Sequence, residues 1–172
     1  MALSFETLRL TVAEIADGLA LSKQSELLER IPHILTPAVV ENLPPYFHNI
    51  ASNGQAKVWL ERMLLESRLL QVETNNHELI GFLFAYVESD NYAHIGYLLA
   101  EEYWGQGLAS ELLEGFIGKV VESESWSKLI GGVDQSNISS AKLLKKLGFT
   151  EQPINGSSVV FYEYTIPRPQ PI

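Results

Sequence analysis

The chain of 172 residues contains no cysteine. This absence excludes disulfide bonds, thiolate metal sites and a cysteine nucleophile. No apolar run approaches the roughly eighteen residues that a membrane-spanning helix requires. Residues 1–10 also lack the basic start and the apolar core of a signal peptide. These absences predict a cytoplasmic protein without a membrane partner.

Positive charge is also scarce, because 12 Lys and Arg residues stand against 21 Asp and Glu residues and the formal net charge is −9. This balance argues against a nucleic-acid partner. It is compatible with a cationic amine substrate, although many proteins are acidic for solubility alone. The histidines His33, His48 and His77 lack the spacing of a metal site, so we expect no metal.

Length and composition predict a single domain over residues 1–172. We expect this domain to be a monomer or a homodimer. Regular alternation predicts a first strand over 5–12. Further strands are predicted over 69–73, 79–87, 92–99, 128–133 and 159–166. Helical patterns cover 13–31, with an interruption near Asp17 and Gly18, and 56–67.

Two glycines separated by one residue, Gly105 and Gly107, lie between the apolar run 95–100 and a helical pattern. The residues that recur at every fourth position, as on one helix face, are Leu108, Leu112, Phe116 and Val120. A turn from strand to helix directs free backbone N–H groups and the positive helix end toward an anion, most often phosphate. Such glycines also occur for steric reasons alone, so the turn by itself leaves both interpretations open.

A second short helix is predicted over 137–149. Asn137 is a good N-cap, Gly148 is a typical helix stop, and Phe149 is an apolar residue able to pack back on the last turn.

Together these two stretches resemble the two cofactor-binding segments of the GNAT superfamily of acyl-CoA-dependent N-acetyltransferases. The segment 104–109 matches the family's Gln/Arg-x-x-Gly-x-Gly/Ala turn, with Trp104 in place of the Gln or Arg. The segment 137–149 matches its Asn-x-x-Ser/Ala helix that ends in Gly-Phe. Within the family, the chain is most similar to the branch that contains the ribosomal-protein N-terminal acetyltransferases. The segment Ile95-Gly96-Tyr97, followed by residues 103–109, carries this similarity.

The resemblance implies an α/β (α+β) fold of the GNAT type, with a mixed, mostly antiparallel sheet of six or seven strands and helices on both faces. It implies an enzyme that transfers an acetyl group from acetyl-CoA to a primary amine, either a protein N-terminus or a small amine. Residues 13–67 would form the acceptor side and 93–149 the cofactor-binding core. A non-catalytic acyl-CoA-binding or sensing module is the alternative. A nucleotide-binding regulator would explain the glycine turn but not the second helix.

In the family, the backbone of the glycine turn meets the pyrophosphate, and the end of the preceding strand pairs with the pantetheine arm. The cofactor-binding residues that the resemblance implies are Leu98, Leu99, Ala100, Trp104, Gly105, Gln106, Gly107, Leu108, Ala109, Asn137 and Ser140. Lys142 and Lys145 are candidates for contacts with the nucleotide phosphates, although a solvated helix face explains them equally well.

Two residues are candidates for catalysis. Ser140 stands at a family position near the cofactor sulfur, whereas the family's commoner acid, a tyrosine, is here Leu144. Ser140 is therefore either the acid for the leaving thiolate or only a capping residue of its helix. His94 lies on the strand where many relatives carry a base, and it is either that base or a structural histidine. The aromatic residues Tyr46, Phe47 and Trp59 either line the acceptor cleft or belong to the core.

Overall fold

The computed structural model describes residues 2–15, 21–88, 91–154 and 156–168. Within these ranges eight strands form one sheet in the order β1-β2-β3-β4-β5-β6-β8-β7. The strands are β1 (Ser4–Glu6), β2 (Leu10–Glu14), β3 (Arg68–Thr74), β4 (Leu79–Val87), β5 (Tyr92–Leu99), β6 (Lys128–Asp134), β7 (Thr150–Glu151) and β8 (Val159–Thr165). The helices are α1 (Leu21–Ile34), α2 (Pro37–Val40), α3 (Asn53–Glu66), α4 (Leu108–Ser123) and α5 (Ile138–Lys146). The interruption predicted near Asp17 and Gly18 lies outside the described residues.

Helices cover both faces of the sheet, and each face has its own core. On one face α4 and α5 pack against residues such as Leu70 and Leu83. On the other face α1, α2 and α3 pack against Leu69 and Phe82. The alternation follows from the pleat of a strand, which directs neighbouring side chains to opposite faces. The predicted fold class is thus confirmed.

The sheet has eight described strands where six or seven were expected, and the difference arises mainly at the first strand. The predicted strand over 5–12 is wrong, because β1 and β2 form an antiparallel hairpin in which Phe5 pairs with Val12. The Thr7 N–H donates to the Leu10 carbonyl at 2.9 Å and closes the turn. Apolar alternation continues through this turn and hides it from the sequence pattern. The very short strand β7 accounts for the remaining difference.

The one parallel pair of the sheet, β5 with β6, separates partway along its length. Pairing runs from Tyr92 opposite Lys128 to Ile95 opposite Gly131. Beyond this point β5 continues to pair with β4, and β6 continues to pair with β8. A gap therefore opens in the middle of the sheet, bounded by two strand edges that no longer bond to each other.

Helices α4 and α5 form where the sequence patterns predict them. The predicted apolar face of α4 is buried, since Leu112, Phe116 and Val120 are inaccessible to solvent. The Asn137 side chain accepts a hydrogen bond from the Ser140 N–H and caps α5. Gly148 has a φ of +99°, and the Phe149 N–H reaches back to the Leu144 carbonyl at 3.0 Å. This geometry confirms the predicted cap and stop.

Candidate active site

The gap between β5 and β6 widens into a cleft of about 870 Å³. Three further segments complete its walls. They are the turn and first residues of α4 (103–110), the start of α5 (136–140) and the segment that follows α1 (38–43). A cleft of this volume is large enough for an extended cofactor, because ligand pockets typically span roughly 300–1,000 Å³.

The glycine turn lies at one end of this cleft. Gly105 and Gly107 have φ values of +75° and +78°, which only glycine adopts without strain. A Cβ on Gly105 would meet no atom within 4 Å, and one on Gly107 would meet only the Arg9 guanidinium at 3.6 Å. Backbone conformation, and not lack of space, therefore requires these glycines.

The first turn of α4 presents unpaired N–H groups to the cleft. The N-cap is Gly107, whose missing side chain provides no cap. The first helical hydrogen bond joins the Glu111 N–H to the Gly107 carbonyl, so the N–H groups of residues 108–110 have no partner within the helix. Leu108, Ala109 and Ser110 all line the cleft. The arrangement has the unpaired N–H groups at a helix start that the predicted anion site requires.

Hydrogen bonds of Tyr103 and Trp104 hold the entrance to this turn, the residues just before Gly105. The Trp104 indole donates to the Leu99 carbonyl at 2.9 Å. The Tyr103 hydroxyl donates to Glu78 at 2.6 Å, and this hydrogen bond raises the pKa of Tyr103 to about 12. Arg30 in turn pairs with Glu78 and Glu102. Hydrogen bonds and ion pairs thus connect the entrance to α1 and to the residue just before β4.

The backbone of β5 offers main-chain groups to the cleft at alternate residues. The Ala100 N–H already donates to the Ile80 carbonyl on β4 at 2.7 Å. Because hydrogen-bond direction alternates along an antiparallel strand, Leu98 also bonds to β4, whereas Tyr97 and Leu99 direct their N–H groups toward the gap. The free main-chain donors are thus at 97 and 99.

Most predicted cofactor residues line the cleft, but two do not. Those that do are Leu98, Leu99, Trp104, Gly105, Gly107, Leu108, Ala109, Asn137 and Ser140. Ala100 lines a separate cavity of about 460 Å³ beside Arg30. The Gln106 carbonyl instead accepts a hydrogen bond from Arg9.

A pair of hydroxyl groups faces the cleft from opposite walls. Tyr97 on β5 donates through its hydroxyl to the Ser140 Oγ at 3.2 Å. Burial raises the pKa of Tyr97, and the hydrogen bond to Ser140 opposes this only in part. The phenol therefore remains protonated and available as a donor at neutral pH. This role of Tyr97 was not predicted, because nothing in the sequence pairs a strand residue with a particular turn of α5.

Leu144 occupies the position of the family's tyrosine and lies on the cleft wall, 2% exposed. Its methyl group lies within 3.1 Å of the position that a Cβ on Gly131 would take. Leu144 supplies packing against β6 at this position. The hydroxyl partner of Ser140 comes from Tyr97 on the facing strand instead.

His94 lies away from the cleft. Its neighbours in alternation, Ala93 and Ile95, face the core under α4, so His94 projects from the other face of the sheet. There its Nε2 lies 3.2 Å from a carboxylate oxygen of Glu88. The base role predicted for His94 stays a prediction, and the structure does not bring this residue to Ser140.

Two of the three aromatic candidates for the acceptor side belong to the core, and the third, Tyr46, is half-buried at its edge. Phe47 and Trp59 are 0% and 2% exposed and pack edge to face at 5.7 Å. Tyr46 lies under the Arg62 guanidinium, 3.7 Å from the ring centroid. The wall of the cleft on this side is formed by 38–43, a segment that carried no recognisable signal in the sequence.

The charged side chains that line the cleft are acidic. Among the described residues that line it, the charged side chains are Glu41 and Asp134. Ser136 donates twice to Asp134 and lowers the pKa of that carboxyl. The candidates Lys142 and Lys145 are not in the lining, and Lys145 pairs with Glu151 at 3.6 Å. Within the described ranges, no cluster of side chains suits a metal ion and no helix is long and apolar enough to cross a membrane.

Comparison with solved structures finds the same fold in known acetyltransferases. A RimL ribosomal L7/L12 α-N-protein acetyltransferase in complex with coenzyme A has a TM-score of 0.78 and 17% identity, over 95% of this chain and 98% of that chain. The ribosomal-protein-S5-alanine acetyltransferase from Vibrio fischeri has a TM-score of 0.75 and 19% identity, over 98% and 100%. The microcin C7 self-immunity acetyltransferase MccE, in complex with acetyl-CoA and AMP, has a TM-score of 0.73 and 16% identity, over 92% and 93%.

These identities are low, and the structural likeness shows the fold alone. A search of curated protein sequences finds no match to this chain. The family model for the acetyltransferase (GNAT) domain, however, matches residues 19–150, which is well over half of the chain. The chain therefore belongs to the GNAT acetyltransferase family, and this membership confirms the predicted enzyme class, acetyl-CoA-dependent acetyl transfer.

Proposed function

We propose that this chain acetylates a primary amine, either a protein N-terminus or a small amine, in the cleft between β5 and β6. The observation that supports this proposal is that three features lie together in one cleft. They are the glycine turn at the start of α4, the free main-chain donors of β5 and the Tyr97–Ser140 hydroxyl pair. An acetyltransferase needs these three elements to bind a diphosphate, to orient the pantetheine arm and to assist a leaving thiolate.

The backbone does most of the cofactor binding in this proposal. The N–H groups of residues 107–110 bind the diphosphate at the start of α4. The N–H groups of Tyr97 and Leu99 bind the amide carbonyls of the pantetheine arm, because those of Leu98 and Ala100 already bond to β4. The arm then runs along β5 toward Ser140.

The reaction is a direct attack that needs no covalent enzyme intermediate. The amine nitrogen forms a bond with the thioester carbonyl carbon, and the carbon–sulfur bond breaks. Ser140 donates its hydroxyl proton to the leaving thiolate and regains a proton, through water, from the nitrogen that forms the new amide, while Tyr97 donates a hydrogen bond to the Ser140 oxygen during this exchange. The ammonium proton leaves to solvent.

The acceptor enters along the wall 38–43, which faces the cofactor elements across the cleft. Glu41 is exposed on this wall and has no hydrogen-bond or ion-pair partner among the described residues. An unpaired carboxylate attracts a cationic ammonium group to the site. Two relatives of the same fold are named as acetyltransferases of ribosomal proteins, which supports a protein α-amine as the first acceptor to test.

The experiment measures release of free CoA from acetyl-CoA in the presence of a panel of amines. The panel contains short peptides with free N-termini, polyamines and amino acids, and each peptide has an N-terminally blocked partner as its control. We expect release with at least one free amine and none with its blocked partner. Binding of acetyl-CoA without release for any amine would instead support the non-catalytic acyl-CoA-binding module.

A further inference from the structure

The cleft lacks positive charge of its own, although the proposed cofactor carries several phosphate charges. Its described lining contains the carboxylates of Glu41 and Asp134 and no Lys, Arg or His side chain. The whole chain is acidic as well, with a net charge of −9. Backbone N–H groups alone would have to offset this field, so a cation close behind the lining would strengthen the binding of a diphosphate.

Arg9 is the cation that lies directly behind the anion-binding turn. It lies in the hairpin turn between β1 and β2, far in sequence from the glycine turn 104–109. Its Nη1 donates to the Gln106 carbonyl at 2.9 Å. Its Nη2 lies 3.6 Å from the position that a Cβ on Gly107 would occupy, and no partner for Nη2 is found among the described residues.

Glu111 in the first turn of α4 fixes Arg9 in this position. One carboxylate oxygen accepts from the Arg9 Nε at 2.8 Å, and the other accepts from the Arg9 backbone N–H at 2.8 Å. The Thr7 hydroxyl donates to the same carboxylate. Burial raises the pKa of Glu111, but the hydrogen bonds from Thr7 and Arg9 and the Arg9 charge outweigh it and hold the pKa below its usual value. The carboxylate is therefore ionised at neutral pH and orients the guanidinium.

The bond to the Gln106 carbonyl has a geometric consequence for the turn. In a trans peptide the carbonyl and the following N–H point in opposite directions. A carbonyl of Gln106 held on the Arg9 side therefore directs the Gly107 N–H to the other side, toward the cleft. Without this bond the peptide plane between Gln106 and Gly107 could rotate, because the flanking glycines Gly105 and Gly107 restrict the backbone little.

We propose that Arg9 is a positioning residue for the diphosphate-binding turn, and that the Nη2 side of its guanidinium, which Glu111 leaves unpaired, places positive charge beside that turn. This inference rests on the proposed binding of acetyl-CoA in the cleft. It assigns a cofactor-binding role to the β1–β2 hairpin, which lies outside the segment 93–149 that carries the family motifs.

The test compares two acetyl donors in Arg9→Gln. One is acetyl-CoA, and the other is S-acetylpantetheine, which keeps the thioester and the pantetheine arm but has no diphosphate. We expect the variant to raise KM for acetyl-CoA roughly tenfold to hundredfold, the effect of losing hydrogen bonds to a charged group. The kcat/KM for S-acetylpantetheine should remain within twofold of the wild type, because that donor never meets the turn.

Arg62→Gln is the matched control, since Arg62 has similar exposure (47% against 44% for Arg9) and also pairs with one glutamate. It removes the same charge from the chain, and neither donor should be affected. If Arg9→Gln fails to fold, Arg9→Lys tests the same point, with a smaller loss for acetyl-CoA and none for S-acetylpantetheine.

Two results would overturn the inference. An equal loss for both donors would mean that Arg9 only stabilises the fold, and no loss for either would mean that the turn needs no help from Arg9. Calorimetric titration of the wild type with CoA separates these results from failure of the proposed function, because a wild type that does not bind CoA refutes that proposal first.

Discussion

Gly107 shows how one residue determines a binding turn through its backbone and not through its size. Its φ is +78°, and a Cβ there would have only an ordinary contact with Arg9. A β-branched residue is a genuine outlier in this conformation, whereas asparagine tolerates it several-fold better than most residues.

We expect Gly107→Val to weaken CoA binding about tenfold, since left-handed strain costs roughly 1–2 kcal/mol and is relieved by moving the turn. Gly107→Asn, the matched control, should retain most of the affinity. Calorimetric titration of both variants, after thermal melts show that they fold, measures the difference. Equal losses in the two variants would show that bulk, and not conformation, matters at this position.

Ser140 and Tyr97 allow a test of the proposed acid. Ser140→Ala should lower kcat about a hundredfold, at the low end for a positioned acid because a thiolate is a tolerable leaving group. Its KM for acetyl-CoA should stay the same, since the turn is untouched.

Tyr97→Phe keeps the ring but removes the donor to Ser140, so we expect a smaller loss of kcat, about tenfold. Tyr86→Phe, on a phenol that is exposed on β4, is the control. Wild-type kcat in both variants would reduce catalysis to positioning and oxyanion stabilisation.

His94 is tested by the pH dependence of the rate. A base must be deprotonated to act, so loss of the base would remove the acidic limb of the pH–rate profile. Because the imidazole contacts Glu88 and does not reach the cleft, we expect His94→Ala to keep this limb. Steady-state rates from pH 5 to pH 9 measure it, and a missing limb would confirm the base role that the sequence analysis predicted.

At the scale of elements, the wall 38–43 replaces the core aromatics as the proposed acceptor surface. We expect Glu41→Gln to raise KM for a cationic amine twofold to fivefold, the effect of about 0.4–1 kcal/mol for an exposed charge. The KM for acetyl-CoA should not change. Glu61→Gln, on the exposed face of α3, removes the same charge elsewhere. Steady-state kinetics with one varied substrate at a time give both constants. An unchanged amine KM at low salt would remove Glu41 from acceptor recognition.

At the scale of the whole molecule, Arg68 joins β2 and β3 to the end of α4. It contacts Glu14 at 2.7 Å and Glu124 at 2.9 Å. Burial raises the pKa of Glu14, but hydrogen bonds from Arg68 and from the Leu3 N–H, with the Arg68 charge, outweigh it and the net shift is downward from 4.5. The network therefore holds distant segments of the chain together through an ionised carboxylate.

A carboxyl whose pKa is lower in the folded state stabilises the fold above its unfolded value, near the ordinary 4.5, and this stability is lost as pH falls through the folded pKa. We expect the unfolding free energy to fall as pH decreases below about 4.5. Glu14→Gln should lose about 1–3 kcal/mol at pH 7 and show a shallower fall in acid. Urea unfolding at several pH values measures both quantities. A parallel fall in variant and wild type would exclude Glu14 as a source of the pH dependence.

The elements that depend on neighbouring residues could be predicted from the amino-acid sequence alone. The glycine turn before α4, the apolar face of α4 and the cap and stop of α5 each depend on neighbouring residues, so periodicity and cap chemistry were enough to predict them. The family match followed from the same short segments. Nearly all the predicted cofactor residues accordingly line the cleft.

The residues that lie across the cleft and behind it could not be predicted, because they depend on long-range packing. The β1–β2 turn depends on Glu111, about a hundred residues away in the chain. The Tyr97–Ser140 pair depends on how β5 and β6 separate, and the exclusion of His94 from the cleft depends on which strand face meets α4. Periodicity identifies the two faces of a strand, but not which helix covers each face, because packing joins residues that are distant in sequence. Hence Arg9 and Tyr97 emerged from the structure, whereas Gly107 and Asn137 were predicted from the sequence.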